Sequence, residues 1–271
     1  MRLNRETLSL WLKLKTAPLA TMVVNVPRPQ KWVFIVGCYN SGTTLLHRLL
    51  AEHELVGSMP NEGQFFTRLL PRGADIGLPR LWAMRPDYFH WTEDSQASID
   101  ADKIKRDWSW FYNHPQRPVL LEKTILNSAR TRWLQQRFEN SHFIGLYRNG
   151  YAVAEGIHRK EGHDIRIAAK QWAVSNEILL NDATHLRHYH SLRYEDLVAD
   201  PRSAMQGVCR FLELSELSDA VFQKEFTVHK LSSGIRNMND DSFARLSAEQ
   251  KAIVNEEAGD VLRRLDYPVL T

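Results

Sequence analysis

The chain has 271 residues, 43% hydrophobic and 25% charged, a balance that suits one large packed core and excludes a disordered or fibrous protein. Lysine and arginine outnumber aspartate and glutamate by 35 to 32; the net charge of +3 suits a small anionic ligand, and no long basic tract points to nucleic acid. The only two cysteines, Cys38 and Cys209, exclude a disulfide framework and a cysteine-rich zinc site, so a reducing, cytoplasmic setting is expected.

Residues 1–30 form a leader before one expected domain that fills the chain. No apolar run approaches the ~20 residues of a membrane span. Residues 8–15 (LSLWLKLK) alternate apolar and basic side chains. That pattern fits an amphipathic helix packed on the body and leaves peripheral membrane contact open. The pattern of a secretory signal is missing.

The next stretch, 31–53 (KWVFIVGCYNSGTTLLHRLLAEH), sets the organisation of the rest. Residues 32–36 have the length and β-branched content of a buried strand, and Leu45, Leu46, Leu49 and Leu50 fall on one helix face. Between them, Gly37 and Gly42 bracket four residues and precede Thr43 and Thr44, so backbone N–H groups and hydroxyls converge at a helix N-terminus. That is an anion site. Thr43 stands where the nucleotide-binding loop G-x-x-x-x-G-K-[ST] places its lysine, which disfavours a standard ATPase or kinase.

Residues 55–59 read as a short strand stopped by Pro60, and 62–70 as a helix with Glu62 at its acidic start. An irregular helical insertion follows over 78–113, rich in aromatic residues including Trp82, Phe89, Trp91, Trp108, Phe111 and Tyr112; these rings either pack the insertion onto the core or line an acceptor pocket. Strands are then expected at 119–122, 141–147 and 189–193. Helices are expected at 127–138, 151–161, 166–186, 203–214 and 248–265. This alternation predicts an α/β fold, a mainly parallel central sheet flanked by helices, with ligands beyond the carboxyl ends of the strands.

Four segments resemble the sulfotransferases that use 3′-phosphoadenosine 5′-phosphosulfate (PAPS). The loop N-S-G-T-T resembles their R-S-G-T-T, with Asn40 in place of arginine. Glu122-Lys123-Thr124 followed by Asn127 resembles E-K-T-P-x-N, with Ile125 in place of proline. Arg148 matches the first arginine of the 3′-phosphate motif R-D-P-R-D-V, whereas Asn149, Gly150 and Tyr151 depart from it and Gly156 sits where a serine is usual. Tyr194-Glu195-Asp196-Leu197, then Asp200-Pro201 and Phe211-Leu212, resembles Y-E-D-L-x-x-D-P and F-L, a segment expected to be structural.

The resemblance implies a P-loop NTPase-like fold, PAPS as co-substrate and no metal. It implies that Asn40, Ser41, Gly42, Thr43 and Thr44 hold the 5′-phosphosulfate, that Arg148 and the Gly156 position face the 3′-phosphate, and that Arg236, within a nucleotide-covering stretch at 227–247, closes over it. With the loop arginine absent, the catalytic charge should fall on Lys123; a salt bridge to Glu122 is its structural alternative. Glu62, 22 residues after position 40, is the expected general base, with His158 and Glu122 behind it and a plain helix-start glutamate as the alternative. The implied acceptor is a hydroxyl of a carbohydrate, glycolipid or small metabolite. Two other readings stand beside this one: a divergent phosphotransferase using ATP and Mg²⁺, and a catalytically inactive nucleotide-binding scaffold.

Overall fold

Residues Trp32, Val33, Phe34, Ile35 and Val36 are all buried, because β1 (Lys31–Gly37) runs through the middle of a parallel sheet covered on both faces. This computed structural model describes residues 5–21, 24–224, 226–228, 231–233 and 235–270. Helix α1 (Arg5–Ala20) precedes β1, and α2 (Thr43–Ala51) and β2 (Val56–Ser58) follow it. The insertion contributes α3 (Pro86–Phe89) and α4 (Ala101–Ser109). Then come β3 (Val119–Lys123), α5 (Thr131–Arg137), β4 (Ser141–Tyr147), α6 (Gly150–Glu161), α7 (Ile165–Ala183) and β5 (Tyr189–Arg193). The chain ends through α8 (Tyr194–Ala199), α9 (Pro201–Phe211), α10 (Asp219–Phe222), the antiparallel pair β6 (Phe226–Val228) and β7 (Leu231–Ser233), α11 (Asn239–Phe243) and α12 (Ala248–Arg264).

The sheet order is β2-β3-β1-β4-β5 with every pairing parallel. Its register places Ile35 beside Lys123 and Gly37 beside Leu146, so the carboxyl ends of β3, β1 and β4 lie side by side. Lys123 and Arg148 therefore flank the loop that leaves β1, one from each neighbouring strand. Ligands of open parallel sheets bind at this edge.

Helix α2 lays Leu45, Leu46, Leu49 and Leu50 on one face of the sheet with α8 and α9. On the other face Trp32, Phe34, Trp108, Phe138 and Phe143 pack as stacked or edge-on rings. Trp82, Phe89, Trp91, Trp108, Phe111 and Tyr112 are buried, so most of the insertion's aromatic residues are packing groups rather than pocket walls. Helix α1 docks through Leu10 and Ala17, and Trp110 Nε1 donates to Lys13 O, leaving Leu12 and Leu14 exposed. Among the described residues no helix is long and apolar enough to cross a membrane.

Three local expectations are corrected. The helix expected over 62–70 is a short 3₁₀ turn, Gly63–Phe65, closed by Phe65 N and Phe66 N donating three residues back to Glu62 O and Gly63 O; the Gly63 N–H donates to Glu122 and its carbonyl also accepts from Trp108 Nε1. The helix expected over 127–138 is a 3₁₀ turn, Ile125–Ala129, and then α5; Ser128 Oγ is drawn onto the Gly37 backbone and Asn127 onto Glu122, which interrupts helical continuity. Helix α8 sits inside the Tyr-Glu-Asp-Leu segment, where no separate element was expected, and α9 starts at Pro201 under an Asp200 cap on Ser203 N.

Candidate active site

The loop after β1 turns on Gly42 and Asn40. Gly42 has φ 90°, and a Cβ there would lie 2.5 Å from the Tyr194 ring, so only glycine fits. Asn40 has φ 61°, a conformation that asparagine tolerates better than most residues. Leu45 and Leu46 both donate to Gly42 O, so the amides of Thr43 and Thr44 lie ahead of the first helical bonds. Ser41 is fully buried, and among the described residues neither Ser41 Oγ nor Asn40 Nδ2 has a hydrogen-bond partner. Two orphaned groups at a helix N-terminus fit the oxygens of an anionic group.

On the β4 side, Arg148 is buried and pinned. Its Nη1 donates to Asn40 O at 2.7 Å, its Nε donates to Asn239 Oδ1 at 2.8 Å, and its guanidinium lies 4.2 Å over the Tyr194 ring. This is not the solvated strand-end arginine that its position alone suggests. Burial pulls its pKa below the ordinary value. No carboxylate is hydrogen-bonded to it among the described residues; Glu195 instead holds Asn239 Nδ2 and Asn149 N at 2.6 and 3.0 Å and accepts from Tyr267. Gly156 faces Asn40, where a Cβ would come within 3.2 Å of Asn40 Nδ2. The two departures at Asn40 and Gly156 thus touch, and Lys160 Nζ reaches Asn40 Oδ1 at 2.9 Å.

On the β3 side, Lys123 Nζ lies 3.1 Å from Glu62 Oε1, and Gln64 Nε2 donates to Glu62 Oε2 at 2.6 Å. Both side chains of the ion pair are largely buried, at 12% and 14% exposure, so water barely screens them. Strand alternation turns Glu122 to the opposite face, and the expected alternative of a Lys123–Glu122 bridge gives way to Lys123–Glu62. His47 is pushed down to about 3 by burial, with Lys123 and Arg48 adding to the shift, so its ring is neutral. Trp172 is core and donates Nε1 to Arg148 O. The His158 ring is occupied by His163 O.

Arg236 is largely exposed, 3.7 Å from Asp241, with its carbonyl accepting from Tyr194 OH. Of the covering stretch 227–247, residues 229, 230 and 234 lie outside the described residues. Tyr194, Glu195, Asn239 and Lys160 were not singled out for the site from the sequence. The one available signal was the Tyr-Glu pair at a strand's carboxyl end. Among the described residues no group of three or more His, Cys, Asp or Glu is placed to hold a metal.

Glu122 is wholly buried, with Oε1 accepting from Gly63 N at 2.8 Å and from Thr124 Oγ1, and Oε2 accepting from Asn127 Nδ2 at 2.7 Å. Burial pushes its pKa from 4.5 up to about 7, against the pull of the Thr124 and Gly63 hydrogen bonds. A carboxyl raised on folding contributes stability that is full below about 4.5 and lost as pH rises through about 7, on the order of 3 kcal/mol in all. Glutamine removes the titration and can still be satisfied, because Asn127 Oδ1 is buried with no hydrogen-bond partner among the described residues and can accept after an amide flip. Glu122→Gln should therefore gain stability relative to the parent between pH 5 and 8, as read by urea unfolding. Parallel stability–pH curves for the two proteins would contradict this.

A family model described as "Sulfotransferase family" matches residues 33–219. Protein-tyrosine sulfotransferase A of Caenorhabditis elegans is 24% identical over 202 residues, covering 69% of this chain and 51% of the relative. The chain thus spans about half the length of the curated relative it matches. Among solved structures, the sulfotransferase domain of the Synechococcus PCC 7002 olefin synthase aligns with a TM-score of 0.62 at 22% identity, covering 90% of this chain and 97% of that domain. Sulfotransferase STF9 from Mycobacterium avium aligns at 0.54 and 13% identity, covering 97% and 83%. At those identities the likeness speaks for the fold.

Proposed function

The chain belongs to the sulfotransferase family, and from that premise we propose that it moves the sulfuryl group of PAPS to a hydroxyl acceptor by in-line displacement. The observation that carries the proposal is the arrangement at the sheet's carboxyl edge: a helix-capping loop with orphaned donors, a buried arginine on one side and the Lys123–Glu62 pair on the other. Asn40, Ser41, Gly42, Thr43 and Thr44 hold the 5′-phosphosulfate, and Arg148, beside Gly156, holds the 3′-phosphate. Lys123 neutralises the charge that grows on the leaving oxygen, and Glu62 takes the acceptor proton as the new O–S bond forms and the bond from sulfur to the 5′-phosphate breaks. The products are a sulfate ester and adenosine 3′,5′-bisphosphate.

In this reading residues 1–271 act as one catalytic domain, and 227–247 with Arg236 cover the nucleotide. The acceptor is a carbohydrate, glycolipid or small-metabolite hydroxyl; a tyrosyl hydroxyl joins that set because the C. elegans relative is named for it. The cytoplasmic assignment belongs to the proposal as well, in keeping with two buried free thiols, Cys38 and Cys209.

Calorimetry tests the nucleotide site without an acceptor. Adenosine 3′,5′-bisphosphate should bind without metal, and Arg148→Ala should weaken it roughly tenfold to hundredfold, the loss expected for a charge-assisted contact of about 1.5–3 kcal/mol. Equal affinity for adenosine 5′-phosphate would count against a 3′-phosphate site. Tighter binding of ATP with Mg²⁺ would favour the phosphotransferase.

A further inference from the structure

We propose that Glu122 is a positioning residue: its buried carboxylate ties Gly63 to the end of β3 and thereby holds Glu62 against Lys123. The inference rests on the roles given to Glu62 and Lys123 above. Gly63 follows Glu62 in the chain, and Glu122 precedes Lys123. One hydrogen bond, Gly63 N to Glu122 Oε1 at 2.8 Å, therefore registers two segments 59 residues apart immediately beside the 3.1 Å ion pair.

The turn that carries Glu62 cannot hold itself. It is three residues of 3₁₀ helix, and Glu62 lies at its head in an extended conformation, φ −62° and ψ 133°. Its position comes from outside: Gly63 N is held by Glu122 and Gly63 O by Trp108 Nε1 at 2.9 Å. The absent side chain at 63 lets both clamps close, since a Cβ there would lie 2.7 Å from the Trp108 ring and 2.9 Å from Glu122 Oε1. Glu122 is itself held from two further sides, by Thr124 Oγ1 on Oε1 and by Asn127 Nδ2 on Oε2 at 2.7 Å. Both oxygens are engaged and the group is wholly buried, so it serves geometry rather than meeting the acceptor. A base displaced by even about 1 Å loses much of its advantage.

The ¹H–¹⁵N signal of the Lys123 ammonium, assigned by its disappearance in Lys123→Met, reports on the pair without turnover. Glu122→Met removes the acceptor at similar volume and should move this signal to the position it takes in Glu62→Ala. Glu122→Gln keeps an acceptor for Gly63 N and should leave the signal in place. Adenosine 3′,5′-bisphosphate affinity, measured on the same samples, should stay within about threefold of the parent in both variants. Thr124→Val, an isosteric change, takes one donor from Glu122 and the long 3.5 Å acceptor of Gln64 N, and should shift the signal in the same direction by a fraction of that amount.

An unmoved Lys123 signal in Glu122→Met and Thr124→Val overturns the proposal. So does a Glu122→Gln variant as disturbed as Glu122→Met, because the charge of Glu122 and not its reach would then be responsible. If Glu122→Met does not fold, Thr124→Val alone decides. A failure of the nucleotide reading shows separately, as absent binding in the parent protein.

Discussion

Glu62→Gln should lower the rate of sulfuryl transfer by about 10²–10⁴-fold while leaving adenosine 3′,5′-bisphosphate affinity unchanged. Glutamine keeps the shape of the side chain and an acceptor for Lys123 Nζ, now 3.1 Å from Glu62 Oε1, but cannot take a proton at neutral pH. The alternative role, a glutamate complementing a helix N-terminus, has lost its support, since no helix follows Glu62 beyond a three-residue 3₁₀ turn. Stability should fall all the same, because glutamine leaves the largely buried Lys123 ammonium without its counter-charge, so the rates are compared well below both melting temperatures. Single-turnover transfer from PAPS checks the rate once an acceptor is identified, and sulfate release to water serves as a slower reaction with the same need for a base. An unchanged chemical rate would remove Glu62 from the mechanism.

What the sequence made legible follows from the range of the interactions. Residues 32–50 declare strand, loop and helix within one short stretch, because burial on both faces of β1 and on one face of α2 leaves a local pattern. Glu62 and Lys123 were each found as candidates, but not their contact, which joins positions 61 residues apart across a turn with no period of its own. The same holds around Arg148: Asn239 reaches it over 91 residues, and Lys160 reaches Asn40 over 120. The misread helix at 62–70 has a physical cause as well. Its apolar residues, Phe66 and Leu70, do pack into the aromatic face of the core, but the backbone closes only three-residue bonds at Glu62 and Gly63, with Gly63 tied to Glu122 and Trp108 by contacts that no local pattern announces.

Tyr194 and Glu195 lie in the segment expected to be structural, and their contacts reach the candidate site. Tyr194 supplies the ring under Arg148, the surface that demands glycine at position 42, and the hydroxyl that ties the Arg236 carbonyl. Glu195 anchors Asn149 and Asn239 together. A strand end entering a helix is a sound description of this local chain, yet it says nothing about which loops converge above it. Convergence is set by the parallel register, which brings the ends of β1, β4 and β5 to one edge.

Lys123→Met carries the other large expected effect, a loss of about 10²–10³ in the transfer rate, typical of removing one donor aimed at developing charge. Asn40 brings no charge to the loop, and two cations that reach it are engaged by its own polar atoms: Arg148 by Asn40 O and by Asn239, and Lys160 by Asn40 Oδ1. Lys123 is the cation at the end of the strand on the other side of the loop, held by Glu62. Removing it should therefore act on kcat far more than on nucleotide affinity, whereas Lys160→Met should act mainly on affinity. Because Lys123 and Glu62 touch, the double variant Lys123→Met/Glu62→Gln should lose less than the product of the two single losses. Fully multiplicative losses would mean that the two groups act on separate steps, and a Lys123→Met variant that keeps kcat while losing adenosine 3′,5′-bisphosphate binding would move Lys123 from catalysis to nucleotide recognition.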